Sequence, residues 1–273
     1  MLTVAAGYFV AGPAAPPSTS TDLWLAVLFH TLLGTALIAG GANALNQVAE
    51  RDLDALMRRT QGRPLPSGRL SPFAAATFAW TIALAGVAEL AAFVNLPTAL
   101  IAAATLVSYV YVYTPLKRRT TIATLVGAVP GALPIVGGWA AAGAPLDVRA
   151  GALFGLMFLW QIPHFLALAW IYREDYARAG LKMLSVGDEA GEATFRQATL
   201  NAAALLPVGL VPFLLGMAGA VYFAGALALS AALFALALIA ARAPSATTAR
   251  RLFLATLVYL PAILSLMAAN RAA

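Results

Sequence analysis

Apolar residues run along this chain in blocks far longer than a soluble helix needs, and short clusters of charge separate the blocks. Candidate spans fall at 22–49, 73–95, 97–115, 121–143, 148–172, 195–217, 218–241 and 249–269. Each lies near the roughly 20 helical residues that cross a bilayer. None alternates apolar and polar positions with the period of two that a membrane barrel strand requires. The pattern predicts a helical bundle. Residues 1–11 are also apolar, but as a helix they rise only about 17 Å against a hydrocarbon core of about 30 Å. Pro13, Pro16 and Pro17 then end that helix. A half-helix leaves its first N–H groups at mid-membrane without water. The expectation is therefore a natural start some tens of residues earlier.

Composition agrees with the pattern. The chain is 62% hydrophobic and 10% charged, a balance that a soluble protein of this size could not bury. The net charge of +6 argues for basic loops beside a bilayer and not for nucleic acid. Absence of cysteine excludes disulfides, zinc–thiolate sites and thiol nucleophiles. With the loop after the 22–49 span placed in the cytoplasm, fifteen of the 17 basic residues fall on that side, and only Arg149 and Arg271 lie opposite. That asymmetry orients the bundle. The chain reads as one integral-membrane domain, 1–273, of two weakly repeated halves, about 22–145 and 148–269. Each half opens with a span that ends in an acidic, arginine-bearing loop.

The densest chemistry lies between Asn43 and Ser71, where Glu50, Asp52 and Asp54 stand among Arg51, Arg58, Arg59, Arg63 and Arg69. On a helix Asn46, Glu50 and Asp54 are four apart and share a face, while Asp52 points away. Stacked carboxylates repel, the more so beside lipid, and a divalent metal relieves this. Mg²⁺ takes oxygen ligands and is typically held by one or two carboxylates with a substrate's phosphates. The arginines beyond would then clamp those phosphates. A solvated loop with capping charges explains the spacing equally well.

Other polar residues carry two readings each. Tyr113 and Lys117, four apart at a span end, could hold a diphosphate oxygen, or be an aromatic-belt tyrosine and a snorkelling lysine. Gln161 and His164 flank Pro163 inside a span, where polar groups are rare unless used. His164 could meet a ligand's carboxylate or iron, or bond a neighbouring helix. His30 reads as structural, and Glu89 as either paired with an unidentified donor or protonated. Gly127 and Gly131 suit close helix packing.

The run N-x-x-x-E-x-D-x-D-x-x-x-x-R-T-x-x-R-P-L, with YTPLKRRT, WQIPHFLALAW and DYARAGLKML, resembles the intramembrane aromatic prenyltransferases of the UbiA superfamily. Within it, the similarity is to the branch that farnesylates haem b. It is strong from about Leu32 to Leu184 and looser beyond. The resemblance implies an all-α, polytopic UbiA-like bundle of nine transmembrane helices, the first truncated here, in the cell inner membrane with its site facing the cytoplasm. It implies a Mg²⁺-dependent transfer of the farnesyl group of farnesyl diphosphate to the C2 vinyl group of haem b. Water adds, giving haem O for haem–copper oxidase assembly. Haem b is a substrate here and not a cofactor, and haem A synthase or oxidase assembly factors are the implied partners besides the lipid bilayer.

Carried over residue by residue, the resemblance assigns Glu50, Asp54 and Asp175 to metal and Asp54, Tyr113 and Lys117 to catalysis. Asn46, Arg58, Arg59, Arg63, Lys117 and Arg118 fall to the diphosphate and His164 to haem. Glu50 replaces the more usual Asp, and Ala179 stands four residues after Asp175, so the second acidic motif lacks one carboxylate. Ala123, Ile135 and Ser185 also depart from the branch. A prenyltransferase of phenolic quinone precursors is the alternative within the superfamily. A transporter would be expected to carry paired ionisable groups near the midplane, where Glu89 stands alone. A non-catalytic haem-binding factor would have no use for the Asn46/Glu50/Asp54 face.

Overall fold

The computed structural model describes residues 1–12 and 21–271. Its architecture is helical: α1 (Leu2–Ala11), α2 (Thr21–Leu56), α3 (Pro72–Phe93), α4 (Leu96–Leu116), α5 (Ala123–Ala141), α6 (Val148–Ile171), α7 (Arg173–Arg178), α8 (Glu192–Leu214), α9 (Ala220–Arg242) and α10 (Ala246–Ala269). Among the described residues eight helices are long and apolar enough to cross a membrane, and α1 is a shorter apolar helix. They coincide with the eight expected spans to within a few residues, apart from one end.

That end is the C-terminus of α2, which runs two turns past the expected 49 to Leu56. Hydropathy stops at the first charges, but the helix does not. Glu50 and Asp54 find cations from other segments, and Leu53 and Met57 bury against Ala179 and Leu181. Tertiary partners thus extend the helix beyond the apolar block.

Helix order follows the chain closely. α2 packs on α3, α3 on α4 and α4 on α5; α6 packs on α8, α8 on α9 and α9 on α10, with α5 against α6 joining the two series. The larger core lies around α6, with Leu153, Leu156, Phe195, Tyr222 and Ile263 fully buried. The α1 helix lies on α5 at backbone contact. A Cβ on Gly7 would fall 2.0 Å from the Ile135 carbonyl oxygen, and one on Gly138 would fall 1.9 Å from that of Val4. Close glycine-mediated helix packing is therefore made there. Gly127 and Gly131, expected to serve it, instead leave room for side chains: a Cβ would strike the Tyr113 ring at 2.5 Å and the Gln161 amide oxygen at 1.8 Å.

Glu89 is paired. Its Oε1 lies 2.7 Å from His30 Nδ1, tying α3 to α2, and the His30 ring stacks on Phe93 at 4.7 Å. Both residues thereby gain the structural reading.

Candidate active site

Three segment ends meet at one face of the bundle: the end of α2, the end of α4, and the stretch from α7 to Ser185. Lys182 N–H donates to the Lys117 carbonyl at 2.8 Å, and Arg58 N–H donates to Asp175 Oδ1 at 3.3 Å. The expected charged residues are brought together by these ties.

Along α2 the acidic face forms as the four-residue spacing requires. The Asn46 amide donates to the Thr114 hydroxyl at 3.1 Å, Glu50 meets Lys117, and Asp54 Oδ2 accepts from Arg63 at 2.8 Å. Asp54 is 1% exposed, whereas the Asp52 side chain is 87% exposed and, among the described residues, pairs only with its neighbour Arg51. Lys117 Nζ lies 2.9 Å from Glu50 Oε1 and donates to Oε2 at 3.1 Å. Both oxygens thus face the ammonium, although among the described residues the buried Oε1 makes no hydrogen bond of good geometry. Lys117 also sits over the Tyr113 ring, 4.6 Å from its centroid.

Asp175, on α7, accepts from Arg178 and from the Arg58 backbone through the same oxygen. Burial pushes its carboxyl up, but the hydrogen bonds from Arg178 and from the Arg58 and Arg59 backbone, together with the Arg178 charge, outweigh burial and hold it below the usual carboxylate range. Ala179, where the expected motif lacks its second carboxylate, is buried against Leu53 and Met57. Arg59 lies over the Tyr172 ring at 5.1 Å. Arg118 is exposed at a groove that also reaches Glu50.

Beneath this rim lies an apolar cavity of about 310 Å³, at the small end of the ~300–1,000 Å³ typical of ligand sites. α2, α4 and α5 wall it, with Val4 and Phe165 from α1 and α6. Tyr113 and Tyr109 stand in its wall, their rings 5.5 Å apart. Both lie on a π-helical turn, Ser108–Tyr113. Pro115 follows, lacks an N–H, and would clash with the Tyr111 carbonyl in a regular helix; the wider turn relieves this. Thr114 secures the turn by donating its hydroxyl to the Tyr109 carbonyl at 2.8 Å.

His164 lies elsewhere. Its Nδ1 is 2.8 Å from the Thr256 hydroxyl on α10, its ring stacks between Trp160 and Phe253, and it is not part of the cavity wall. Gln161 spends its amide hydrogens on the Ala128 and Met157 carbonyls.

A match to the UbiA prenyltransferase family extends over residues 1–261. The chain belongs to that family. Among curated UbiA relatives, a protoheme IX farnesyltransferase of Solibacter usitatus is 45% identical over 99% of this chain and 94% of its own length. Proteins of the same name from Sorangium cellulosum and Salinibacter ruber are 47% and 41% identical over 86% and 97% of this chain, and over 84% and 92% of their own. Solved UbiA structures share the fold at low identity. A UbiA homologue from Aeropyrum pernix superposes with a TM-score of 0.73 at 19% identity, covering 97% of this chain and 94% of that one. One from Archaeoglobus fulgidus, bound to GPP and Mg²⁺, gives 0.64 at 19%, covering 97% and 95%.

Three residues at this candidate site were not singled out from the sequence. Asn43 and Tyr109 line the cavity, and Tyr176 lies near Arg59, Lys117 and Glu50. Burial pushes the Tyr176 hydroxyl up, with Arg59 and Lys117 pulling the other way. Asn43, three residues before Asn46, and Tyr109, four before Tyr113, each sit one helical turn from a residue that was found. Extending each motif by a turn would have reached them.

Proposed function

We propose that this protein transfers the farnesyl group of farnesyl diphosphate to the C2 vinyl group of haem b, with addition of water, to give haem O and diphosphate. The observation that carries the reading is the junction of an apolar cavity with a buried acid–cation rim at Tyr113, Lys117 and Glu50. The acceptor follows from relatives at 41–47% identity that share the name protoheme IX farnesyltransferase.

The residues fit a Mg²⁺–diphosphate group. Among the described residues no three His, Asp or Glu side chains converge on one point. Glu50 and Asp54 nonetheless offer hard oxygen donors on one face, where among the described residues the buried Glu50 Oε1 has the Lys117 ammonium beside it but no well-aligned hydrogen bond, and phosphates complete such a set. We assign the metal to Glu50 and Asp54, with Asp175 completing the acidic rim. When bound, Mg²⁺ supplies charge neutralisation to the leaving diphosphate.

The chain's own residues do the rest. Arg58, Arg59, Arg63, Lys117 and Arg118 bind the diphosphate, with Asn46 beside them. The cavity holds the prenyl chain and excludes water from its allylic carbon while the C–O bond breaks. The ring faces of Tyr113 and Tyr109 stabilise the allylic cation. His164, outside the cavity wall and against α10, orients the porphyrin. The basic face lies in the cytoplasm of a multi-pass inner-membrane protein, and the two helix series are repeats of one unit. Haem A synthase or another oxidase assembly factor takes the product.

Acceptor competition tests this. Purified protein is given labelled farnesyl diphosphate, Mg²⁺, haem b and 4-hydroxybenzoic acid together. Label is expected in the porphyrin; label in the phenol would make the protein a quinone-precursor prenyltransferase.

A further inference from the structure

A ring that stabilises a developing cation must be held in place, because the attraction depends on where the charge lies over it. Tyr113 stands where the apolar cavity meets the charged rim. It lines the cavity, carries Lys117 Nζ 4.6 Å from its ring centroid, and lies 5.5 Å from the Tyr109 ring. Its backbone is fixed by Thr114, next in the chain, which donates to the Tyr109 carbonyl at 2.8 Å and accepts from the Asn46 amide at 3.1 Å. The ring itself is seated by another helix.

Gly127, near the start of α5, also lines the cavity. A Cβ there would fall 2.5, 2.6 and 3.0 Å from three adjacent carbons of the Tyr113 ring, Cε2, Cδ2 and Cζ. Carbon atoms settle about 3.5–4.0 Å apart, so an alanine would drive the ring back by about 1 Å. Lys117 lies over that ring and is itself held 2.9 Å from Glu50 Oε1. A displaced ring therefore either enters the cavity or moves Lys117 off Glu50. Backbone freedom does not account for the glycine, which lies inside a helix and is not among the glycines with positive φ. Gly131, one turn further along, also lines the cavity, but the three atoms nearest to a Cβ there all belong to Gln161.

We propose that Gly127 is a positioning residue for the transfer. Having no side chain, it seats the Tyr113 ring against the α5 backbone, at the depth where the ring meets both the cavity and Lys117. The inference rests on the function proposed above.

A mutant cycle tests it, because an effect that passes through the ring must disappear with the ring. Wild type, Gly127→Ala, Tyr113→Ala and the double variant are assayed with haem b, farnesyl diphosphate and Mg²⁺. Slow variants are followed by mass over long incubations, and thermal unfolding is measured in detergent. With the ring present, Gly127→Ala should lower kcat by on the order of 100-fold, as a misplacement of about 1 Å can. The KM for farnesyl diphosphate should change by less than about threefold, since the charged rim is untouched. The unfolding temperature should fall, as it does on overpacking. With the ring removed, adding Gly127→Ala should cost no more than about twofold in kcat. The unfolding temperature should then rise, because alanine favours a helix over glycine. Gly131→Ala, made in the same two backgrounds, should cost the same in each.

Equal loss of kcat from Gly127→Ala with and without the ring would overturn the proposal, as would wild-type turnover in Gly127→Ala. Should Gly127→Ala alone fail to insert, the double variant is expected to insert, and its failure too would overturn the proposal. Failure of the wild type to prenylate haem b would instead refute the proposed function. The unfolding cycle needs no substrate, so it decides on the seating of the ring in either case.

Discussion

Lys117 Nζ sits 2.9 Å from Glu50 Oε1, with both side chains only 11% exposed, so two distant segments share one nearly buried charge pair. Each partner keeps the other's charge tolerable. Removing one leaves an uncompensated buried charge, at about 3 kcal/mol or more. Lys117→Met should lower the thermal unfolding temperature in detergent and abolish transfer. Adding Glu50→Gln should recover most of the stability and none of the activity. Recovery of turnover in the double variant would remove the pair from the site.

Asp54 and Asp52 provide an internal control, two residues apart on one helix. Asp54 is buried and held by Arg63, whereas Asp52 is solvated. Asp54→Asn should reduce kcat by on the order of 100-fold or more with normal membrane insertion. Asp52→Asn should stay within about twofold, as surface changes do. Steady-state assays at ordinary Mg²⁺ decide, and equal effects would sink the assignment of the acidic face.

His164 faces Thr256 and stands between two aromatic rings. His164→Ala should raise KM for haem b by more than about fivefold, and change KM for farnesyl diphosphate by less than about twofold. Thr256→Val, which removes the hydroxyl that meets His164 and donates to the Phe253 carbonyl, should have a smaller effect of the same kind. Parallel loss for both substrates would make His164 a packing residue.

Acid should open the tie between the two charged loops late. The Asp175 carboxyl is held below its usual range, so its contribution is fully present above the unfolded value of about 3.9. It is lost only as pH falls through the lower folded value. Proteolytic protection of the 58–70 segment should persist near pH 4 and fail below it, and Asp175→Asn should show no such step.

The far end of the cavity sets prenyl length in this account. Gly137 borders it, and a Cβ there meets only Ile101, at 3.7 Å. Gly137→Ala should be tolerated. Gly137→Phe should shift preference from farnesyl to geranyl diphosphate by about tenfold or more in kcat/KM, since added bulk in a filled pocket is strongly unfavourable. An unchanged preference would place the prenyl tail elsewhere.

The spans were legible because lipid demands an apolar length that composition alone reveals. The acidic face was legible because four-residue spacing on a helix is local geometry. What could not be read was contact between distant segments. His30 and Glu89 each looked solitary, 59 residues apart, and only the packing of α2 on α3 joins them. The end of α2 was placed too early for the same reason, as Lys117 and Leu181 complete it from elsewhere. Gly127 and Gly131 gave the pattern of close packing, but only the positions of Tyr113 and Gln161 show which atoms fill the space.

One measurement bears most directly on the central claim that the rim and cavity join a prenyl diphosphate to haem. Membranes carrying the protein are incubated with haem b, farnesyl diphosphate and Mg²⁺, and the haems are extracted and weighed. The account predicts haem O, dependent on all three additions and lost on chelation of the metal or in Asp54→Asn. Unmodified haem b under those conditions, with farnesyl diphosphate bound and the protein folded, would contradict it.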